Sequence, residues 1–165
     1  MSYWIGLPLL VLVALIEVSV LPMFRVYGLQ PNLMLVLLIA WLAVRGASEA
    51  FILAPIGGVL LGFVDGAPAG TALIGLAPLA FLQDLRGSQL REGGLIAAIG
   101  FTILMSFFYN FVHLSVFTLL GQAGEWGAAS VRIIVPTILL NVMILPPLYW
   151  LLTLTGREQR RTVYI

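Results

Sequence analysis

Six apolar runs, at residues 4–24, 32–44, 50–64, 67–82, 95–120 and 133–152, take up nearly all of this 165-residue chain. No stretch between them is long enough to form a water-soluble core, so lipid is the solvent this polypeptide is built for. Hydrophobic residues make up 61% of the chain and charged residues only 9%, which lies outside the range of soluble domains. Inside a bilayer every backbone N–H and C=O must be satisfied by the protein. Continuous apolar runs achieve this as helices, whereas a lipid-facing barrel strand would alternate over about ten residues. The expectation is one all-α integral membrane domain over residues 1–165, a bundle of six transmembrane helices.

The first run has no Lys or Arg before it and no small-residue cleavage pattern after it, so it reads as a retained helix and not as a secretory signal. All eight basic residues are arginines. With the N-terminus in the cytoplasm, Arg45, Arg86, Arg91, Arg157, Arg160 and Arg161 fall inside, and Arg25 and Arg132 outside, as the excess of positive charge on the cytoplasmic side requires. Both termini are therefore expected in the cytoplasm. Trp4, Trp41 and Trp150 then sit near inner ends and Tyr27 and Trp126 near outer ones, at the headgroup levels such side chains prefer.

A net charge of +1 offers nothing to nucleic acid. The absence of cysteine and the single histidine leave no ligand set for a metal, and no cofactor is expected. The second, third and fourth runs are shorter than the roughly 20 residues a helical crossing needs, and they carry Pro31, Pro55, Pro68 and Pro78. They are expected to be short or re-entrant and to pack against other helices, where such breakers are tolerated. The longest connections are expected to be loops, at 83–94 inside and 121–132 outside. The arginines of the tail from Arg157 onward would be drawn to the anionic inner leaflet, by about 1 kcal/mol each.

Glu17 is the one acid deep inside a run. Counted at 1.5 Å per residue, Glu17, Asn110, His113 and Asn141 share one depth, roughly 10 to 15 Å below the outer boundary. Ser106, Asn110, His113 and Phe117 also share a stripe of the fifth helix by their spacings of four, three and four. A buried cluster is expected in which Glu17 meets His113, Asn110 or Asn141 across three helices. It would act either as interhelical glue, at about 0.5 to 2 kcal/mol per hydrogen bond, or as a proton or ligand site.

Gly58, Gly62, Gly66 and Gly70 recur every four residues. Small faces let helices approach closely in lipid, so this ladder marks a contact, either within the bundle or with a partner's helix. Asp65, at the outer end of the third helix, is expected to accept hydrogen bonds from turn amides.

The segment Gln30-Pro31-Asn32-Leu33-Met34, followed by Gly58-Val59-Leu60-Leu61-Gly62-Phe63-Val64-Asp65-Gly66 and Gly70-Thr71-Ala72-Leu73, resembles the bacterial rod shape-determining family MreD. That family shows a Pro-Asp-Leu-Leu start to its second helix; here Asn32 stands in place of the Asp. The resemblance implies a bundle similar to the substrate-binding subunits of energy-coupling-factor transporters, in the inner membrane of a bacterium. It further implies a non-enzymatic scaffold of the cell-elongation complex that binds the single-span protein MreC and sits with MreB, RodA and a class B penicillin-binding protein. The alternative is a substrate-binding membrane subunit of a transporter of the energy-coupling-factor type. Catalysis is not expected: without lysine there is no Ser-x-x-Lys, and neither a His-Glu-x-x-His nor a pair of intramembrane aspartates is present.

Overall fold

A computed structural model describes residues 3–24, 30–64, 66–68, 70–81, 83–121 and 130–156. Every regular element among them is helical. In chain order these are α1 (Tyr3–Ser19), a 3-10 turn (Leu21–Phe24), α2 (Leu33–Arg45), α3 (Ala47–Val64), α4 (Thr71–Phe81), α5 (Gln83–Leu119), a π-helical turn (Ser130–Ile134) and α6 (Val135–Gly156). Arg25, Tyr27, Asp65, Trp126, Arg157, Arg160 and Arg161 lie outside the described residues.

The arrangement is organised around α2. Its sequence, Leu-Met-Leu-Val-Leu-Leu-Ile-Ala-Trp-Leu-Ala-Val-Arg, is apolar on all sides, the pattern of a helix with no exposed face. Every residue from Met34 to Ala43 is buried, and α2 touches each of the other five helices. Thirteen residues reach only about 20 Å, which suffices because α2 faces protein on every side.

Its two sequence neighbours, α1 and α3, align antiparallel to it. Gly6 of α1 lies against Trp41 and Leu53, and at the other end Glu17 reaches Met34. Gly46, the one residue between α2 and α3, takes φ 105 and donates its amide to the Leu42 carbonyl; a side chain there would strain so tight a reversal. The same junction is pinned by Trp41 Nε1 donating to Glu49 Oε2 at 3.1 Å, with the Arg45 guanidinium 5.0 Å from the centre of the Trp41 ring. Further along α3, Gly57 packs on Met34 and Leu38.

Helix bounds depart from the apolar runs where proline intervenes. α1 stops at Ser19, not at residue 24: Pro22 has no amide to continue the α-helical hydrogen bonds, and a 3-10 turn follows. α4 begins at Thr71, not at 67: the Pro68 carbonyl accepts from the Thr71 amide (3.1 Å) and hydroxyl (2.7 Å), which starts the helix there. The stretch 83–94, expected as a loop, is helical through Gly93. Gln, Leu, Arg and Glu are good helix formers, and the change of direction is made at Gly94 alone (φ 57, ψ −137). Two helices, Gly93–Leu119 and Arg132–Leu154, are long and apolar enough to cross a membrane.

The glycine ladder divides. A Cβ at Gly58 would lie 2.9 Å from Leu73 Cα, so here the backbones of α3 and α4 touch. Gly62 faces open space, and Gly66 and Gly70 occupy the left-handed region in the turn between the helices. Gly58→Ala should force α3 from α4 and lower stability by about 1–3 kcal/mol, while Gly62→Ala should be neutral or slightly stabilising. Thermal unfolding of the two variants in detergent checks the contrast.

Candidate functional site

A helix that starts inside protein has amides without intrahelical partners, and α2 starts in the interior. Asn32 supplies the local answer. Its backbone is extended (φ −95, ψ 91), and its Oδ1 accepts from the Leu35 amide at 2.8 Å, the usual geometry of an N-cap. Pro31 precedes it and has no amide of its own to satisfy.

Two further donors, the amides of Asn32 and Met34, are met from other helices. The Met34 amide donates to Glu17 Oε2 of α1 at 3.0 Å. The Asn32 amide donates to Asn141 Oδ1 of α6 at 2.8 Å, and Asn141 Nδ2 in turn donates to Ser106 Oγ of α5 at 2.9 Å. Asn32, Asn141 and Ser106 are buried, and Glu17 is half-buried. Four helices are thus joined at one level through the first turn of α2. The carboxylate is well placed there, since the N-terminal end of a helix carries partial positive charge.

Of the four residues placed at one depth by the sequence, Glu17 and Asn141 come together on this turn, two residues apart along α2. Asn110 turns back to its own helix, donating to the Ser106 carbonyl at 2.7 Å. His113 stacks on Tyr109 with ring centres 4.5 Å apart and stands 6.3 Å from Phe117, in an aromatic column along α5. What the sequence reading missed was the receiver, the backbone of α2, together with the Trp41–Glu49 bond. A second close approach, Gly75 of α4 against the Tyr109 ring, also lay outside the four-residue ladder.

These bonds run among the node's own side chains and to backbone, so they cap α2 and fasten α1, α5 and α6 to its first turn. Among the described residues no group of three His, Cys, Asp or Glu side chains is placed to hold a metal ion. A concavity lies elsewhere: a groove of about 1060 Å³ runs along α1, and its described lining is apolar but for Ser19, from Trp4 through Val11 and Leu15 to Val20.

No protein-family model, curated protein or solved structure matches the chain. Its functional reading rests on its residues and their geometry.

Asn141→Leu removes both partners of the node at once and strands the Asn32 amide and the Ser106 hydroxyl. A loss of about 1–3 kcal/mol is expected, and adding Ser106→Ala should cost little more, because the two sites share one interaction. Glu17→Gln keeps an acceptor oxygen and should stay close to the parent, whereas Glu17→Leu should fall well below it. Unfolding midpoints in detergent read all four.

Proposed function

We propose that this chain is a non-enzymatic integral membrane scaffold with six spans and both termini in the cytoplasm, an MreD-type subunit of the bacterial cell-elongation complex in the inner membrane. In this role it holds the transmembrane and juxtamembrane segment of MreC. Through that contact it joins MreB, RodA and a class B penicillin-binding protein, so that peptidoglycan synthesis follows the shape of the cell.

One observation carries the choice between scaffold and transport subunit. A solute-binding subunit needs a concave site on which polar groups converge. Here the centre of the bundle is filled by α2, and the polar side chains around its start converge on backbone amides. The groove along α1 opens sideways and is apolar, which suits hydrocarbon or another helix and not a polar nutrient. The motif resemblance from Pro31 to Leu73 supplies the particular complex.

Affinity purification from native membranes in mild detergent, with peptide identification, tests the reading. A single-span protein with a large extracytoplasmic domain, accompanied by wall-synthesis enzymes, is the expected yield. Recovery with ATP-hydrolysing transport subunits, or recovery of the chain alone, would overturn it.

A further inference from the structure

Inside the described helices Pro8, Pro55 and Pro78 stand singly, whereas Pro146 and Pro147 stand together in α6. A proline brings no N–H, so the carbonyl four residues before it loses its α-helical donor. Behind a single proline that carbonyl can still accept from the amide three residues on, as in a 3-10 turn. Met143 has neither recourse, because the residues three and four beyond it are Pro146 and Pro147. The Val142 carbonyl has lost its donor to Pro146 as well. A Leu148 amide given to Met143 would be taken from Ile144, and a Leu145 amide given to Val142 would be taken from Asn141. With one bond per amide, two carbonyls between Asn141 and Ile144 therefore go without a donor from the helix.

Position makes this costly. Met143 lies eleven residues from either end of the apolar span Arg132–Leu154, about 16 Å from each, which is mid-bilayer in the layout proposed above. An acceptor left open at that depth has no water to meet it. Among the described residues, the side chains that donate to helix carbonyls do so at Ala98, Ser106, Phe111, Leu114 and Trp150, and none does so between 141 and 144. The site faces outward: Met143 is 73% exposed, on one exposed stripe with Leu139, Pro147, Trp150 and Leu154. The ring of Pro147 also crowds the Met143 carbonyl away from the helix axis.

Acyl chains bring no donor to this depth. A second copy docked on the same stripe about a two-fold axis along the membrane normal would set acceptor against acceptor. We propose that the stripe from Leu139 to Leu154 on α6 is the docking surface for the transmembrane helix of a single-span partner, whose Ser, Thr, Asn or Gln side chain at mid-bilayer donates to the carbonyls opened by Pro146 and Pro147. Such a bond adds to close packing where lipid offers helices little other attraction. The proposal deepens the scaffold reading, on which it rests for the existence of such a partner.

A photo-crosslinking residue at Met143 in native membranes tests it, with Leu12 on α1 and Val59 on α3 as exposed positions for comparison. Position 143 should give an adduct with a single-span protein, and peptide mapping should place the attachment within one turn of a Ser, Thr, Asn or Gln near the middle of that span. Pro146→Ala with Pro147→Ala restores both amides. It should cut the adduct yield at least about threefold while raising the unfolding midpoint of the chain in detergent, since proline is costly in a helix interior. Adducts at 143 with lipid or a second copy alone, attachment remote from any such donor, an undiminished yield in the double variant, or a lowered midpoint would each overturn the proposal. A well-placed adduct at 143 with a protein unconnected to wall growth would uphold the docking surface and overturn the MreD-type assignment. Wall-growth partners crosslinked at 12 or 59 and not at 143 would do the reverse.

Discussion

An α-helix that begins in an apolar interior must find acceptors for amides its own backbone cannot satisfy, and each one left open costs several kcal/mol in a medium without water. That requirement, applied to α2, fixes much of the rest. Asn32 answers one amide from within the chain's own turn. Two more, those of Met34 and Asn32, are answered by Glu17 of α1 and Asn141 of α6, 17 and 109 residues away in sequence. Because the acceptors are single atoms at hydrogen-bond distance, they set height and register as well as contact. α1 cannot slide along α2 without releasing the Met34 amide, and α6 cannot slide without releasing both the Asn32 amide and Ser106.

Close packing does the complementary work at other levels. Hydrocarbon is as apolar as leucine, so helix association in lipid depends on fit and on hydrogen bonds. Glycines mark where the fit is tightest: Gly6 beneath Trp41 and Leu53, Gly57 on Met34, Gly58 on the backbone of Leu73, Gly75 on the ring of Tyr109. These contacts run from α1 and α2 through α3 and α4 to α5, in chain order. The polar node then links α5 and α6 back to α1 and α2. The bundle is closed by small-residue contacts on one side and by hydrogen bonds on the other.

Much of this was legible in the sequence, and the gaps have physical causes. Long apolar runs announced helices, and counting residues placed Glu17 and Asn141 at one height, because rise per residue is a property of the backbone. The partner they meet was not legible, since a backbone amide leaves no mark in the sequence and its need for an acceptor appears only once a helix is known to start there. Asn32 did leave a mark, as the side chain in front of an apolar helix. Regular spacing singled out Gly58 and Gly62 alike, although only Gly58 faces a neighbour; spacing records periodicity and not what stands opposite. Gly75 lacked a spaced companion and was overlooked, yet its approach to Tyr109 is closer. The helix at 83–93 was hidden by its charge, which suggests a loop to any reading by hydropathy but does not oppose helical geometry.

The length rule for membrane helices also has a limit that α2 makes plain. Twenty residues are needed when a helix must carry its backbone across hydrocarbon by itself. A helix sheathed on all sides by others meets no lipid, so its ends can lie wherever side chains or water satisfy them. In α2 one end is met by Gly46 and the Trp41, Arg45 and Glu49 junction, and the other by Asn32, Glu17 and Asn141. Thirteen residues are then sufficient, because polar partners within the protein meet both ends. Glu17, two residues from the end of α1, is placed to answer an amide that the early start of α2 leaves open.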